Sequence, residues 1–263
     1  MKLLKTSNVS EKLDEHFEEV SAVETEEFSP EVIDGEADVR VNSGIEDCES
    51  AFLKLPERNP IFGRVLLEIL EEKGITTNYP SIGFYITAKK NYLYYVLEQK
   101  DISIPETVIA ASENSAKNVT RYLELPIIAK RYEENQLEES ARLEDEQEAK
   151  EFAEGTDYGE DILIFQEETG DEKYKVFYAN GNLISLKDKT EGWRVSDEKL
   201  QYSNLSNELE ELVETTMKSI GTEYGEVILK GGKVIDVKPN PDPEVYADKS
   251  GKDAFKYIKE IYQ

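Results

Sequence analysis

The sequence predicts an α+β fold, and three observations carry that reading. Gly231-Gly232 joins two β-branched runs, 226–230 and 233–238, and a Gly-Gly pair accepts the positive φ angles of a tight hairpin. Asn180-Gly181 sits between the apolar runs 173–179 and 182–186 and predicts a second hairpin of the same kind. The apolar residues of 61–73 and 206–220 recur at helical spacing, and each segment stops at a glycine, Gly74 or Gly221, suited to cap a helix. Strands and helices alternate without the regular period of a βαβ sheet, which points to packed α+β lobes.

Taken in order, residues 1–60 are acidic and broken up, with a helical stretch predicted near 11–20 and an apolar run at Ala51-Phe52-Leu53. The 61–73 helix leads to a short strand at 75–77 and a turn at Asn78-Tyr79-Pro80. A second helix is predicted over 87–100, with Tyr92, Leu93, Tyr95 and Val96 as its packing stripe. A strand led by Pro105 spans 103–109, a helix 112–123, and a strand 125–130. Residues 131–161 read as an acidic connection holding one helix, 145–154, before a buried strand at 162–166. The two hairpins flank the 206–220 helix, and an amphipathic helix over 252–262 ends the chain.

Centring the second of these hairpins on Gly231-Gly232 pairs Leu229 with Val234, Ile228 with Ile235, and Val227 with Asp236. Side chains alternate along a strand, so Val227, Leu229, Val234, Asp236 and Lys238 then share one face and Glu226 points to the other. An acid and a base on an otherwise apolar face mark a candidate site.

The 263 residues carry 57 acids against 31 bases, a net charge of −26, with 38% hydrophobic residues to build a core. Such a surface repels nucleic acid and anionic membrane, because binding either needs cations against phosphates. It fits a solvated or high-salt-adapted exterior, or a docking face for a basic protein partner. Cys48 is the sole cysteine and His16 the sole histidine, which excludes an internal disulfide and leaves a zinc site or a Cys–His catalytic pair without enough ligands. No apolar run reaches the ~20 residues of a membrane span, and the N-terminus lacks a signal-peptide core. A cytoplasmic protein is expected.

Six fragments, in order, resemble the ATP-grasp superfamily, closest to RimK-like and glutathione synthetase-like carboxylate–amine ligases. Asn78-Tyr79-Pro80-Ser81-Ile82, Lys90, Leu97 and Ile104-Pro105-Glu106-Thr107 are similar to its "N-x-P…dK…L…gi-x-P-x-T" run. Leu125-Pro126-Ile127-Ile128-Ala129-Lys130 resembles "fPvVlK", Ile164-Phe165-Gln166-Glu167 the "v-Q-E" hinge, and Lys175-Val176-Phe177 "D-x-R-V-F". Gly225-Glu226-Val227-Ile228-Leu229 is similar to "G-x-D-I-L", and Asp236-Val237-Lys238-Pro239-Asn240-Pro241 to "E-V-N-P-x-P". The resemblance begins near Asp47 and runs to about Pro243. It implies a small N-terminal domain, 1–79, before an ATP-grasp domain, 80–263, whose lobes at about 105–165 and 166–263 enclose ATP. It further implies that Lys90 and Lys130 hold phosphates, that Gln166 and Glu167 form the nucleotide-reading hinge, and that Lys175, Lys187 and Arg194 contact an anion or substrate.

The departures concern chemistry. The family's phosphate loop is glycine-rich so that backbone N–H groups can approach phosphate. After Lys130 this chain has no glycine before Gly155, and several carboxylates stand there instead. Like charges ~4 Å apart cost about 4 kcal/mol at an effective dielectric of 20. The ligand aspartate aligns on Val227, Asp236 stands in for a glutamate, and Lys238 replaces the asparagine. Magnesium requires oxygen ligands, and a lysine offers none, so an Asp236–Lys238 ion pair is expected where the metal would bind. Three readings result. The first is a degenerate ATP-grasp protein that binds a nucleotide, ATP included, or a small anion without ligase turnover. The second is an active ligase forming an acyl phosphate with Glu226 or Asp188 recruited to the metal, and the third an acidic adaptor with an empty cleft.

Overall fold

The computed structural model describes residues 1–41, 48–154, 156–158 and 161–263; Asp47, where the family resemblance begins, lies outside them. The N-terminal third is far more regular than its composition suggests. Strands β1 (Lys2–Thr6), β2 (Glu19–Val23), β3 (Ser29–Ile33), β4 (Glu36–Arg40) and β5 (Ser50–Phe52) precede helix α1 (Pro60–Glu72) and strand β6 (Thr76–Thr77). β6 lies within the short strand expected at 75–77, whereas β1 to β4 were not legible in the sequence because they are short and interleaved with acids. The predicted helix near 11–20 is a 3-10 turn, Glu11–His16, followed directly by β2. β2, β1, β5 and β6 form a parallel sheet in that order, and β3 pairs with β4 as a separate hairpin.

Helix α2 (Ser81–Ala88) breaks at Lys89, and α3 (Lys90–Gln99) starts afresh, so Lys90 occupies the first turn of a helix rather than its interior. The buried stripe of α3 is Leu93, Tyr94 and Leu97; Tyr92 and Tyr95 stack on one another at the surface, one position away from the expected register. Next come β7 (Thr107–Ala110), α4 (Glu113–Lys117), β8 (Ile127–Glu133), β9 (Gln136–Leu143), α5 (Glu146–Ala153) and β10 (Ile162–Glu167). The strand predicted from 103 begins only at Thr107, and the helix predicted over 112–123 shortens to α4 plus a 3-10 turn, Val119–Arg121. β9 is new, since its acids hide a strand lying at the sheet edge, where one face meets water. Glu134 and Asn135, both at positive φ, turn β8 into β9. The sheet order is β7-β10-β8-β9, with one face packed on α4 and α5 through Ala129, Leu163 and Phe165.

A second, antiparallel sheet is built from β11 (Lys173–Ala179), β12 (Asn182–Asp188), β13 (Leu200–Tyr202), β14 (Tyr224–Lys230) and β15 (Lys233–Lys238), in the order β13-β12-β11-β14-β15. Helix α6 (Asn207–Ile220) is capped by Gly221 as its sequence predicts, and Ser206, expected within the helix, caps its other end. It packs with α3 on Val176, Val227, Leu229, Val234 and Val237. Helices α7 (Pro243–Ser250) and α8 (Ala254–Glu260) close the chain, α7 having been hidden by its polar composition. Their Tyr246, Phe255 and Ile258 join Leu3, Leu53, Leu66, Phe177 and Tyr224 in one core, so the N-terminal sheet and the C-terminal helices share a common interior.

The two sheets meet at their connecting segment, 168–172. Gly231 has φ +57°, and a Cβ there would lie 2.3 Å from the Gly170 nitrogen. Gly231→Ala therefore combines backbone strain with a clash against main chain that cannot turn aside. Its expected cost is on the order of 2 kcal/mol or more, read as a lowered denaturant midpoint at unchanged slope.

Candidate functional site

The cleft-facing register of β14 and β15 depends on one residue. Leu229 pairs with Val234 as expected, but Ile228 then pairs with Asp236, Val227 with Val237 and Glu226 with Lys238. Ile235 is the extra residue of a β-bulge, which turns everything beyond it to the other face. The expected pairing of Val227 with Asp236 is corrected accordingly. Val227 belongs to the core under α6, whereas Glu226, Ile228, Lys230, Asp236 and Lys238 share the opposite face. The carboxylate facing the site from β14 is thus Glu226, not a vacancy at Val227.

The bulge also supplies an acceptor. The Ile235 carbonyl takes hydrogen bonds from the Tyr94 hydroxyl at 2.8 Å and from Lys130 Nζ at 3.1 Å. Lys130 also donates to Gln166 Oε1 at 2.6 Å, and Gln166 in turn donates to Thr107 Oγ1. Burial drives the Lys130 pKa down to about 8, with Asp236 opposing and Lys90, Lys230 and Lys238 adding to the fall. Glu167 accepts from the Glu106 backbone N–H and from Lys233, tying the small sheet to the end of the β14–β15 hairpin. The side chains of Gln166 and Glu167 are therefore committed to the scaffold.

Asp236 makes its ion pair with Lys90, at 2.8 Å, and not with Lys238 as the sequence suggested. Lys90, 4% exposed, also donates to the Val237 carbonyl at 2.7 Å, clamping the strand end. Burial pushes the Asp236 pKa up, but Lys90, Lys130 and Lys238 outweigh it and hold the carboxyl below its usual range. Lys238 lies 3.8 Å from Glu226, which also faces Lys175 at 3.4 Å and accepts from the Tyr246 hydroxyl. Both carboxylates are thus engaged by ammonium groups. Among the described residues no three His, Cys, Asp or Glu side chains converge to hold a metal ion. This donor set does not fit a resident Mg²⁺, which needs oxygen ligands around it rather than ammonium groups.

The expected cationic cluster is split. Tyr174 pairs with Lys187 and Lys175 with Leu186, so Lys175 and Lys187 lie on opposite faces of the sheet. Lys187 pairs with Glu172 and covers the Tyr174 ring, away from the cleft; Lys175 reaches Asp197 and Glu226. Arg194 alone of the three lines the central cavity, where its guanidinium donates to the Ser140 carbonyl of β9 and spans the two sheets. The loop that carries Trp193 and Arg194 is organised by Lys173, fully buried, whose ammonium donates to the carbonyls of Thr190, Gly192 and Arg194 at 2.8–3.1 Å. Asp188, 3.3 Å from that ammonium, also accepts from Thr190 and Ser196. Sequence inspection missed this node, and a lone tryptophan beside a run of lysines was its only signal.

Three chambers run outward from a central one that lies between the two sheets. The central one, about 180 Å³, is walled by Ile128, Tyr132, Leu137, Val195, Ile228 and Ile235, with Lys130, Lys230 and Arg194 at its edges. It shares Asp236 and Lys238 with a chamber of about 550 Å³, where Lys54, Arg58, Lys90 and Lys238 face only Glu26, Glu57 and Asp236. That chamber shares Asn8, Lys54 and Asn240 with a third, of about 650 Å³, between the 3-10 turn and α7. In a chain where acids outnumber bases 57 to 31, a recess with more cations than carboxylates is a local reversal of charge.

The arrangement of two sheets about a cleft, joined by a short connection, matches solved structures over nearly the full length of the chain. A RimK domain protein from Sphaerobacter thermophilus superposes with TM-score 0.73 at 17% identity, covering 99% of both chains. The chain has the ATP-grasp fold. The ATP-grasp ligase PsnB, complexed with precursor peptide PsnA2 and AMPPNP, matches with TM-score 0.71 at 13% identity over 99% of this chain and 96% of that one. D-alanine–D-alanine ligase from Bacillus anthracis, complexed with ATP, gives 0.68 at 14% over 100% and 96%. No family model and no curated protein matches the sequence. The assignment of the ATP-grasp fold therefore rests on three-dimensional form. No helix among the described residues is long and apolar enough to cross a membrane.

Proposed function

We propose that this ATP-grasp chain binds a nucleotide or a similar polyanionic small molecule through lysines, without a resident metal and without ligase turnover. The observation that carries this reading is the convergence of Lys90, Lys130 and Lys238 on Asp236, with Lys175 and Lys238 on Glu226. Ammonium groups occupy the surroundings of both carboxylates and leave them poorly placed to share a divalent cation. Lys90, Lys130 and Lys238 would face phosphates entering from the larger chamber, and Gln166 and Glu167 hold the hinge. The structures of PsnB with AMPPNP and of D-alanine–D-alanine ligase with ATP support a nucleotide as the ligand class. The precursor peptide on PsnB and the net charge of −26 support a basic segment as partner.

The test is calorimetric titration with ATP and ADP, in Mg²⁺ and in chelator. Affinity is expected to be unchanged by chelation, with no nucleotide consumed on prolonged incubation. Binding that requires Mg²⁺, accompanied by ADP release with a carboxylate and an amine, overturns the reading. A second reading, an active carboxylate–amine ligase, is favoured by one observation: the bulge brings Glu226 and Asp236 to the same face. The same titration separates the two.

A further inference from the structure

Among the described residues lining the central chamber, Lys230 is the one whose charged group is buried without a hydrogen bond. Its side chain is 4% exposed, and its ammonium is shielded from solvent with no hydrogen-bond partner. The nearest carboxylate, Glu168, stands 3.8 Å away and is already bonded to Arg142 at 2.7 Å. Burial lowers the Lys230 pKa, with Glu168 and Asp171 opposing, so the group sits here at a cost. A buried donor left unpaired lowers stability, the more so when it is charged. Such a group is retained either as a counter-ion or as a waiting donor, and the 3.8 Å gap to an occupied carboxylate argues against the first.

The strand sets what it would donate to. Glu226, Ile228 and Lys230 alternate along the cleft face of β14, each about 7 Å from the next. Lys238 marks the Glu226 end, Asp236 and an apolar wall of Ile228, Ile235, Val195 and Ile128 the middle, and Lys230 the far end beside Thr169 and Trp193. A ligand lying along this face presents its anionic part to the first, a flat apolar part to the second, and an acceptor to the third. Purine bases carry such acceptors, N7 in both and O6 in guanine.

We infer that Lys230 reads the base of the bound nucleotide, donating to a ring nitrogen or carbonyl oxygen at the closed end of the cleft. This rests on the nucleotide reading proposed above. Its test uses ATP, GTP and inorganic tripolyphosphate, which has no base, titrated into the wild-type chain and Lys230→Met. A charge-assisted hydrogen bond is worth about 1.5–3 kcal/mol, or about 10–150-fold in affinity. The variant should lose at least tenfold for a nucleotide and nothing for tripolyphosphate. Loss for both nucleotides assigns N7, and loss for GTP alone assigns O6. The melting temperature of the ligand-free variant should hold or rise, because an unpaired buried charge has been removed. Unchanged nucleotide affinity, or equal loss for tripolyphosphate, overturns the inference, and a fall in melting temperature with unchanged affinity makes Lys230 a counter-ion. If wild type binds tripolyphosphate as tightly as ATP, this inference alone fails. If it binds none of the three, the nucleotide reading fails with it.

Discussion

Lys173→Met is expected to be the most damaging single substitution in the large sheet. It strands the carboxylate of Asp188, whose side chain is fully buried, and releases three loop carbonyls at once. Breaking a buried pair by removing one partner costs about 3–5 kcal/mol. For a chain of this size that is a fall of roughly 6–20 °C in melting temperature. Replacing both members, Lys173→Met with Asp188→Leu, normally recovers such a loss. Here recovery should stay incomplete, because the carbonyls of Thr190, Gly192 and Arg194 remain without their donor. Trp193 is the sole tryptophan, so its emission reports the loop directly and should shift to the red in both variants. Full recovery of stability in the double variant would show that the charge pair alone matters.

Asp236→Asn should have opposite effects on stability and on anion binding. Lys90 keeps the Val237 carbonyl but loses its carboxylate at 4% exposure, a penalty again of about 3–5 kcal/mol. Because the folded-state pKa of Asp236 lies below its unfolded value, its contribution is present above the unfolded pKa and is lost as pH falls through the folded one. The wild type should therefore lose stability more steeply below about pH 4 than Asp236→Asn, whose acid limb flattens. Anion affinity should rise in the variant, since one carboxylate has left a recess where Lys54, Arg58, Lys90 and Lys238 remain. A ligase that used Asp236 as a metal ligand would instead lose its Mg²⁺-dependent binding, so the sign of the change discriminates between the two readings.

The sequence revealed those features that a few residues determine on their own. The Asn180-Gly181 and Gly231-Gly232 turns, the Gly221 cap and the buried strand β10 follow from local chemistry. β1, β2 and β9 did not, because short or acidic strands owe their state to the neighbours they pair with. Lys90 was found through a family resemblance, yet the carboxylate it pairs with, Asp236, was expected to pair with Lys238. The cause lay in Ile235, a bulged residue that no alternation rule anticipates and that moved Glu226 onto the face of Asp236. Lys173 and Lys230 look like ordinary surface lysines in sequence, and only their burial distinguishes them.

The glycine contact at the 168–172 connection also fixes how the molecule can deform. Gly231 rests on Gly170 and donates its N–H to the Glu172 carbonyl at 2.8 Å, so the connection between the two sheets is pinned to the β14–β15 hairpin beside Lys230. Any opening between the sheets would therefore be a scissor motion with its fulcrum there. Lever arms lengthen toward the Glu134–Asn135 tip of the β8–β9 hairpin, where Asn135 donates to the Arg58 carbonyl over a long 3.5 Å. A given angular opening displaces the Lys230 end least and the mouth near Arg58 most, so a guest would enter from the mouth and meet Lys230 last.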